Sequence, residues 1–353
     1  MTTYELNEKN VKLIGRTESL GDKVLCSLSG TGFEFSFTGR KFVITVTGGK
    51  AAADMPENEG NFARFAVYIN GERAADIVMD EAVKSYGWGS DGEASCTVRF
   101  IKLSECAMSS GLCVALSAEG EVKPTAKKPL KIEFIGDSIT CGYGVDDEVA
   151  EHKFKTTTED FTKAYAYKTA NLLNADYSAF SISGYGIISG YTTEEEPLRT
   201  HLVPPYYKAL GFSHATFEDG RKPQDIPWDF SRFIPDLIVI NLGTNDASYC
   251  KSIADRCEWY ERDYVTFLKE VRENNPTAKI LCALGIMDDT LCGYVESAAE
   301  KFRAETGDKE IYTLRFTPQD GSLGYAADWH PTEATHEVAA ARAAEKIREI
   351  MGL

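Results

Sequence analysis

The sequence lacks the features that would assign the chain to a membrane, a secretory route or a disulfide scaffold. No apolar run approaches the roughly eighteen residues that a membrane-spanning helix needs. Residues 1–10 contain no hydrophobic signal core, so we expect a cytoplasmic location. The nine cysteines are odd in number and include no Cys-x-x-Cys pair, which favours a reducing compartment over disulfide bonds or a cysteine-ligated metal.

Positive charge is also scarce. The chain has 38 basic against 54 acidic residues and a net charge of −16, with no basic run. This balance excludes the counterion-releasing surface that nucleic acids or anionic membranes require, so neither is expected as a partner. The 353 residues, 43% hydrophobic and 26% charged, are typical of a globular protein long enough for two domains.

The first third of the chain has the period of two that is typical of strands. Polar and apolar residues alternate, and Asn70-Gly71 is a strong type I′ hairpin signal. The pattern predicts an N-terminal β-sandwich, jelly-roll-like, over residues 1–122, followed by a polar linker with two prolines. The apolar positions are Phe33, Phe35, Phe37, Phe42, Ile44, Val46, Phe65, Val67, Ile69, Cys96, Val98, Phe100, Leu112, Val114 and Leu116.

Residues 130–353 change to strands that alternate with helices. This order predicts an α/β domain with a mostly parallel sheet and helices on both of its faces. The long aromatic segment 188–232 is expected to form an ordered wall or lid over the sheet edge. Strands are predicted at 130–135, 177–182, 236–242, 279–284 and 311–314, and helices near 159–174, 255–274, 292–305 and 333–351.

Ser138 is the most informative residue of this second domain. It follows the buried strand 130–135 and the breaker Gly136, so it lies at the sheet edge where ligands gather. Its backbone N–H at the start of the next element can help to hold an oxyanion. By itself Gly-Asp-Ser is typical of a polar turn, so a catalytic interpretation depends on partners elsewhere.

His330 is the best candidate base among the five histidines. It lies in Asp328-Trp329-His330-Pro331, just before the last predicted helix, where a loop lets the ring face the sheet edge. Asp328 can accept from one ring N–H and leave the other nitrogen to take the serine proton. The alternative is an ordinary turn ahead of a helix. His336 is interpreted as a solvated or packed residue of that helix.

Two further strand ends offer groups for an oxyanion. The strand 236–242 is followed by Asn245, whose amide can donate a hydrogen bond, although turn chemistry also explains the residue. The strand 177–182 is followed by Gly184, where a glycine lets a backbone N–H approach a substrate closely. Gly184 is preferred over Gly186 because it comes first after the strand.

The order serine, glycine, asparagine, histidine over about residues 130–353 resembles the SGNH (GDSL-type) hydrolase superfamily. The resemblance implies that Ser138 is the nucleophile, that Gly184 and Asn245 complete the oxyanion hole, and that His330 is the base. The superfamily usually has an aspartate three residues before the histidine, where this chain has Ala327. Asp328, at two residues, resembles carbohydrate esterase family 2, in which some members work with a serine–histidine dyad.

That narrower family also joins a β-sandwich to the hydrolase domain. Stretches 33–39, 67–71 and 132–144 look like its sequences. The resemblance implies an O-acetyl esterase that takes acetylated oligosaccharides, with 6-O-acetyl hexopyranosides or xylan-derived esters as substrates, and that needs neither metal nor organic cofactor. Trp329, Tyr185 and Trp228 are candidate sugar-stacking rings, or plain packing residues.

The sequence is also compatible with two other functions. A lipid esterase or lysophospholipase of the same superfamily has the same catalytic residues, and a carbohydrate-binding protein on an inactive hydrolase scaffold has the same fold. The sequence is compatible with three alternative roles for the β-sandwich: glycan binding, shaping of the active-site rim, or a homo-oligomer interface.

Overall fold

The structure, a computed structural model, describes residues 1–48, 61–107, 112–217 and 219–353. The chain divides into two compact units, which we call the β unit and the α/β unit. The β unit comprises Met1–Lys128, Lys155–Phe161 and Lys208–Trp228, and the α/β unit comprises Pro129–Phe154, Thr162–Tyr207 and Asp229–Leu353. The division expected from the sequence, 1–122 and 130–353, is continuous, whereas the structure assigns two later segments to the β unit.

Alternating apolar residues build the β unit, as predicted. Its described strands pair antiparallel in the order β3-β4-β9-β5-β8-β6-β7, with β1 on β9 and β2 on β5. The phenylalanines of β5 are buried in one core, and Asn70 and Gly71, with φ of 51° and 87°, form the predicted turn between β6 and β7. The strands are β1 Thr2–Tyr4, β2 Lys12–Ile14, β3 Thr17–Leu20, β4 Lys23–Cys26, β5 Gly32–Gly48, β6 Arg64–Ile69, β7 Glu72–Val78, β8 Val83–Lys102 and β9 Leu112–Pro124.

Charged and polar contacts hold the two later segments in the β unit. Arg64 Nη1 donates to the carbonyl of Glu159 at 3.0 Å, and Ser27 Oγ donates to the carbonyl of Phe212 at 2.9 Å. Arg16 lies over the ring of Trp228, 5.5 Å from its centroid. The segment 208–228 is therefore part of the β unit, so the predicted wall or lid segment 188–232 is divided between the two units.

The α/β unit has the strand–helix alternation that the sequence predicts. Its five strands are all parallel, in the order β11-β10-β12-β13-β14. The strands are β10 Leu130–Gly136, β11 Ala175–Ser181, β12 Leu237–Asn241, β13 Lys279–Leu284 and β14 Ile311–Arg315. The helices are α1 Ser138–Cys141, α2 Tyr165–Leu172, α3 Thr244–Cys250, α4 Ala254–Asn274, α5 Cys292–Thr306 and α6 Glu333–Met351. The short helices α1 and α3 were not predicted.

The strand order brings three predicted site segments to one place. β10 lies between β11 and β12, and its last residue, Gly136, is in register with Ser181 and Asn241. A Cβ at position 136 would lie 2.0 Å from Thr140 Oγ1, so only glycine lets α1 begin this close to the strand. Because carboxyl ends of neighbouring parallel strands share an edge, the segments after β10, β11 and β12 meet there.

The described part of the chain has few features of a membrane-spanning, metal-binding or disulfide-bonded protein. No helix within it is both long and apolar enough to cross a bilayer. Within these ranges there is no cluster of three or more His, Cys, Asp or Glu side chains that could hold a metal ion. All nine cysteines fall within the ranges, are buried and form no disulfide bond.

Candidate active site

Ser138 and His330 meet at the carboxyl edge of the sheet. Ser138 is the first residue of α1, directly after β10, and Asp137 caps this helix by accepting from Ile139 N–H at 3.1 Å. His330 follows the turn Ala327–Trp329, and its Nε2 lies 2.9 Å from Ser138 Oγ. The structure therefore places the predicted pair within hydrogen-bond distance across 192 positions of sequence.

The main chain of Asp328 orients the imidazole. His330 Nδ1 lies 3.1 Å from the carbonyl oxygen of Asp328. Since a carbonyl can only accept, Nδ1 must carry the proton, and a neutral ring then presents an unprotonated Nε2 to Ser138. Asp328 and Trp329 both have left-handed backbone, with φ of 51° and 62°, which turns this carbonyl toward the ring.

The carboxylate of Asp328 points to a different set of partners, which corrects the expectation that it accepts from the ring. Oδ2 accepts from the Tyr143 hydroxyl at 3.1 Å and from Phe154 N–H at 3.0 Å. Oδ1 accepts from Lys153 Nζ at 2.9 Å. Burial opposes ionisation of this carboxyl, but these three donors lower its pKa below the usual value.

Tyr143 lies against the face of the imidazole. Its ring centroid is 4.0 Å from that of His330 with an interplanar angle of 26°. Phe154 also stacks on Tyr143, with 3.9 Å between the ring centroids and an interplanar angle of 19°. The sequence reasoning gave Tyr143 no role; the one available signal was an aromatic residue between Gly142 and Gly144, immediately after the serine motif.

Burial controls the charge of His330. The burial of the ring lowers its pKa to about 4, although the neighbouring Asp328 favours the charged form. The ring is consequently neutral near pH 7 and able to accept a proton. His336, which the sequence left as solvated or packed, is fully buried in α6 and accepts from Tyr165 N–H at 3.2 Å.

Asn245 links the segments that follow β10 and β11. It lies in the first turn of α3, and its Nδ2 donates to the carbonyl of Tyr185 at 2.9 Å and to Asp137 Oδ2 at 3.3 Å. Gly184 has φ of 80°, and a Cβ built on it would meet no atom within 4 Å. The left-handed backbone therefore favours glycine at this position, and the space beside it is open.

Asp246, which the sequence reasoning did not single out, anchors the loop after Gly184. Its carboxylate accepts from three consecutive backbone N–H groups, those of Ile187, Ile188 and Ser189, at 2.7–3.0 Å. Burial nevertheless raises its pKa to about 6. Burial likewise raises the pKa of Asp137 to about 7. Two buried carboxyls therefore support the helix and loop that carry the predicted oxyanion donors.

The three candidate stacking rings differ in exposure. Trp329 is 54% exposed and lies beside Tyr325, with 5.2 Å between ring centroids. Tyr185 is 2% exposed and packs on His201, while Trp228 is 7% exposed in the β unit under Arg16. The latter two are packing residues, as the alternative held, and a sugar face can reach only Trp329.

Comparison with known proteins places this geometry in a family context. Residues 134–338 match the GDSL-like Lipase/Acylhydrolase family. The chain is 38% identical to Cellulase/esterase CelE of Acetivibrio thermocellus over 234 residues, which is 64% of this chain and 26% of that protein. It thus spans about a quarter of the length of that relative.

Two further similarities extend over nearly the whole chain. An acetylxylan esterase / glucomannan deacetylase of Cellvibrio japonicus is 27% identical over 99% of this chain and 91% of its own length. The structure of a family two carbohydrate esterase from Clostridium thermocellum, in complex with cellohexaose, superposes with a TM-score of 0.80 at 28% identity, covering 97% of this chain and 99% of that one.

Proposed function

This chain belongs to the GDSL-like lipase/acylhydrolase family, and on that premise we propose that it is a serine esterase that removes acetyl groups from carbohydrates. The observation that carries the proposal is the 2.9 Å contact between Ser138 Oγ and an unprotonated His330 Nε2. A hydroxyl this close to a neutral imidazole can lose its proton as it attacks a carbonyl carbon.

Acylation begins when Ser138 Oγ attacks the acetyl carbonyl and His330 Nε2 takes the hydroxyl proton. A tetrahedral intermediate forms, with a negative oxygen and an imidazolium. His330 then gives the proton to the sugar oxygen as the ester bond breaks, which leaves acetyl-Ser138 and a free sugar hydroxyl. In the second step His330 Nε2 takes a proton from water as the water oxygen attacks the acetyl carbon. His330 then returns this proton to Ser138 Oγ as the acyl–oxygen bond breaks, and acetic acid leaves and ionises to acetate in water.

The negative oxygen needs donors, and we infer that three groups after the strands β10, β11 and β12 supply them. They are the backbone N–H groups of Ser138 and Gly184 and the side-chain amide of Asn245, each able to lower the barrier by roughly 3–4 kcal/mol. Both Asn245 amide hydrogens are engaged in the structure. We infer that the oxyanion replaces the longer of these bonds, the 3.3 Å contact with Asp137.

The substrate class rests on the relatives and on Trp329. Their names, an acetylxylan esterase / glucomannan deacetylase and a carbohydrate esterase, support an acetylated oligosaccharide such as a xylo-oligosaccharide or a 6-O-acetyl hexopyranoside. The exposed ring next to His330 offers an apolar surface on which a sugar face can pack. No organic cofactor or metal enters the two steps.

A reducing location, the cytoplasm, is also part of the proposal. Its support is the nine cysteines, which are buried and form no disulfide bond within the described ranges. Burial raises the pKa of Cys282 to about 12, so this thiol resists ionisation. Titration of the denatured protein with Ellman's reagent should count nine thiols. A lower count in protein purified without oxidant contradicts this location.

The esterase proposal is tested with two ester series. The enzyme should cleave 4-nitrophenyl acetate far faster than the octanoate, and it should release acetate from acetylated xylo-oligosaccharides or 6-O-acetyl glucosides. Ser138→Ala should abolish both activities while it leaves the circular dichroism spectrum unchanged. Preference for octanoate would instead indicate a lipid esterase, and failure of a fluorophosphonate to label Ser138 would indicate a binding protein.

A further inference from the structure

We propose that Tyr143 is a positioning residue for His330: its ring fixes the plane of the imidazole and stabilises the imidazolium that forms as Ser138 attacks. This inference rests on the proposed esterase function, because it needs His330 to take the serine proton. It extends that function, because no carboxylate bonds to His330 Nδ1 and Tyr143 stabilises the imidazolium in its place.

The argument begins with what holds the imidazole. One edge of the ring is fixed by the bond from Nδ1 to the Asp328 carbonyl, and the other by Ser138. Two edge contacts define an axis, but they leave the ring free to rotate about it. Tyr143 lies on one face at 4.0 Å, so rotation of the imidazole would drive ring atoms into the phenol ring. The stack thereby keeps Nε2 aimed at Ser138.

The second step concerns charge. A carboxylate bonded to Nδ1 would stabilise the imidazolium directly, but here Nδ1 faces a carbonyl dipole and Asp328 Oδ2 bonds elsewhere. Two titratable groups interact electrostatically with the ring: the Asp328 carboxylate, which is paired with Lys153, and His336, which burial keeps neutral. The face of an aromatic ring attracts a cation, and the attraction grows as the pair is removed from water.

The third step concerns the Tyr143 hydroxyl, which donates to Asp328 Oδ2 at 3.1 Å. The hydroxyl therefore ties the phenol to the residue whose carbonyl holds Nδ1, so one side chain braces the face and, through Asp328, the edge of the imidazole. Donation to an ionised carboxylate also increases the electron density of the phenol, which favours a cation on its face.

The surrounding backbone holds the stack in place before substrate arrives. Ala327 N–H donates to the carbonyl of Asp147 at 2.8 Å, and Asp328 N–H donates to the carbonyl of His152 at 3.0 Å. Gly144 has φ of 64°, and a Cβ there would lie 2.9 Å from Ala327 Cβ. The segment that carries Tyr143 is thus packed directly on the segment that carries His330, and little reorganisation is needed during the reaction.

The test compares three variants. Tyr143→Leu removes the ring but keeps the site apolar, and Tyr143→Phe keeps the ring but removes the hydroxyl. Phe154→Leu is the matched control. It also removes a ring from this stack, but the ring it removes contacts Tyr143 and not His330. For 4-nitrophenyl acetate, kcat/KM should fall about 10- to 30-fold in Tyr143→Leu, and by only about threefold in Tyr143→Phe and Phe154→Leu.

The deciding measurement is the pKa of His330 after a fluorophosphonate has labelled Ser138, followed by NMR. The proposal expects this pKa to fall by about one unit in Tyr143→Leu and to stay within about 0.3 units in Phe154→Leu. A pKa that is unchanged or raised in Tyr143→Leu overturns the inference, even if activity falls, since that pattern indicates a merely structural role. If Tyr143→Leu does not fold, Tyr143→Met makes the same comparison.

The same experiment keeps the two proposals apart. If the parent enzyme is not labelled at Ser138, the esterase mechanism itself fails. If the parent is labelled and hydrolyses acetate esters, but the pKa of His330 does not respond to loss of the ring, only the role of Tyr143 is wrong.

Discussion

Replacement of the Asp328 carboxylate by an amide should have little effect on catalysis. In Asp328→Asn, the amide oxygen can take the place of Oδ2 and still accept from Tyr143 and Phe154. The amide nitrogen then replaces Oδ1, which loses only the contact with Lys153. The carbonyl that holds His330 Nδ1 belongs to the main chain and is not changed by the substitution.

The magnitude follows from these contacts. Lys153 is 89% exposed, so water screens its ion pair with Asp328 and the pair contributes little. The substitution also removes a partly neutralised negative charge near the imidazolium. We expect the total loss of transition-state stabilisation to be no more than about 1.4 kcal/mol, or about tenfold in kcat/KM. In a triad whose carboxylate holds Nδ1, the corresponding change costs about 10⁴-fold in kcat.

Steady-state hydrolysis of 4-nitrophenyl acetate by three variants at position 328 checks this. Asparagine tolerates left-handed backbone, whereas alanine at φ of 51° adds about 1–2 kcal/mol of strain. We therefore expect Asp328→Ala to be less active than Asp328→Gly, and Asp328→Asn to be the most active of the three. A loss of 10³-fold or more in Asp328→Asn refutes the carbonyl-based orientation of His330.

Three further predictions concern the groups around this pair. Asp246→Ala leaves three buried N–H groups unpaired, so it should lower the free energy of unfolding in urea by about 3–5 kcal/mol. It should also lower kcat about 100-fold, because the loop after Gly184 loses its anchor. An unchanged kcat contradicts a role in loop positioning. Burial raises the pKa of Asp137 to about 7, above its value of about 4 in the unfolded chain. The stability that the bound proton contributes is therefore complete below about pH 4 and is lost progressively as pH rises to about 7. The free energy of unfolding of Asp137→Asn, compared with that of the parent, should thus rise by about 3–4 kcal/mol as the pH goes from about 4 to 8. A difference between the two proteins that does not change with pH refutes this. Trp329→Ala should raise KM several-fold for an acetylated oligosaccharide but not for 4-nitrophenyl acetate, and equal changes in both count against sugar stacking.

Local sequence patterns predicted the fold of both units well. Strands such as 279–284 and helices such as 333–351 were predicted with the bounds they have in the structure, because each has a strong hydrophobic period and a clear breaker at its end. The assignment of 208–228 to the β unit was not predictable in this way. It depends on contacts such as Ser27 with Phe212, which join positions 185 residues apart.

The candidate site divides along the same line. Ser138, Gly184 and Asn245 could be placed at one edge from sequence, because each follows a strand of a parallel sheet and such strands end together. His330 could be placed near them as a loop residue ahead of a helix. These are statements about position along the chain and about residue type, and the structure brings Ser138 and His330 to 2.9 Å.

Directions of side chains and carbonyls were decided only by the tertiary structure. The sequence has Asp328 two residues before His330, and that spacing predicts the carboxylate as the partner of the ring. Two consecutive left-handed residues instead turn the carbonyl to Nδ1 and the carboxylate to Tyr143, Lys153 and Phe154. Backbone dihedrals at such positions are set by what packs around them. Sequence by itself therefore determined which residues gather at the sheet edge, and tertiary packing determined which atom of each faces the reaction.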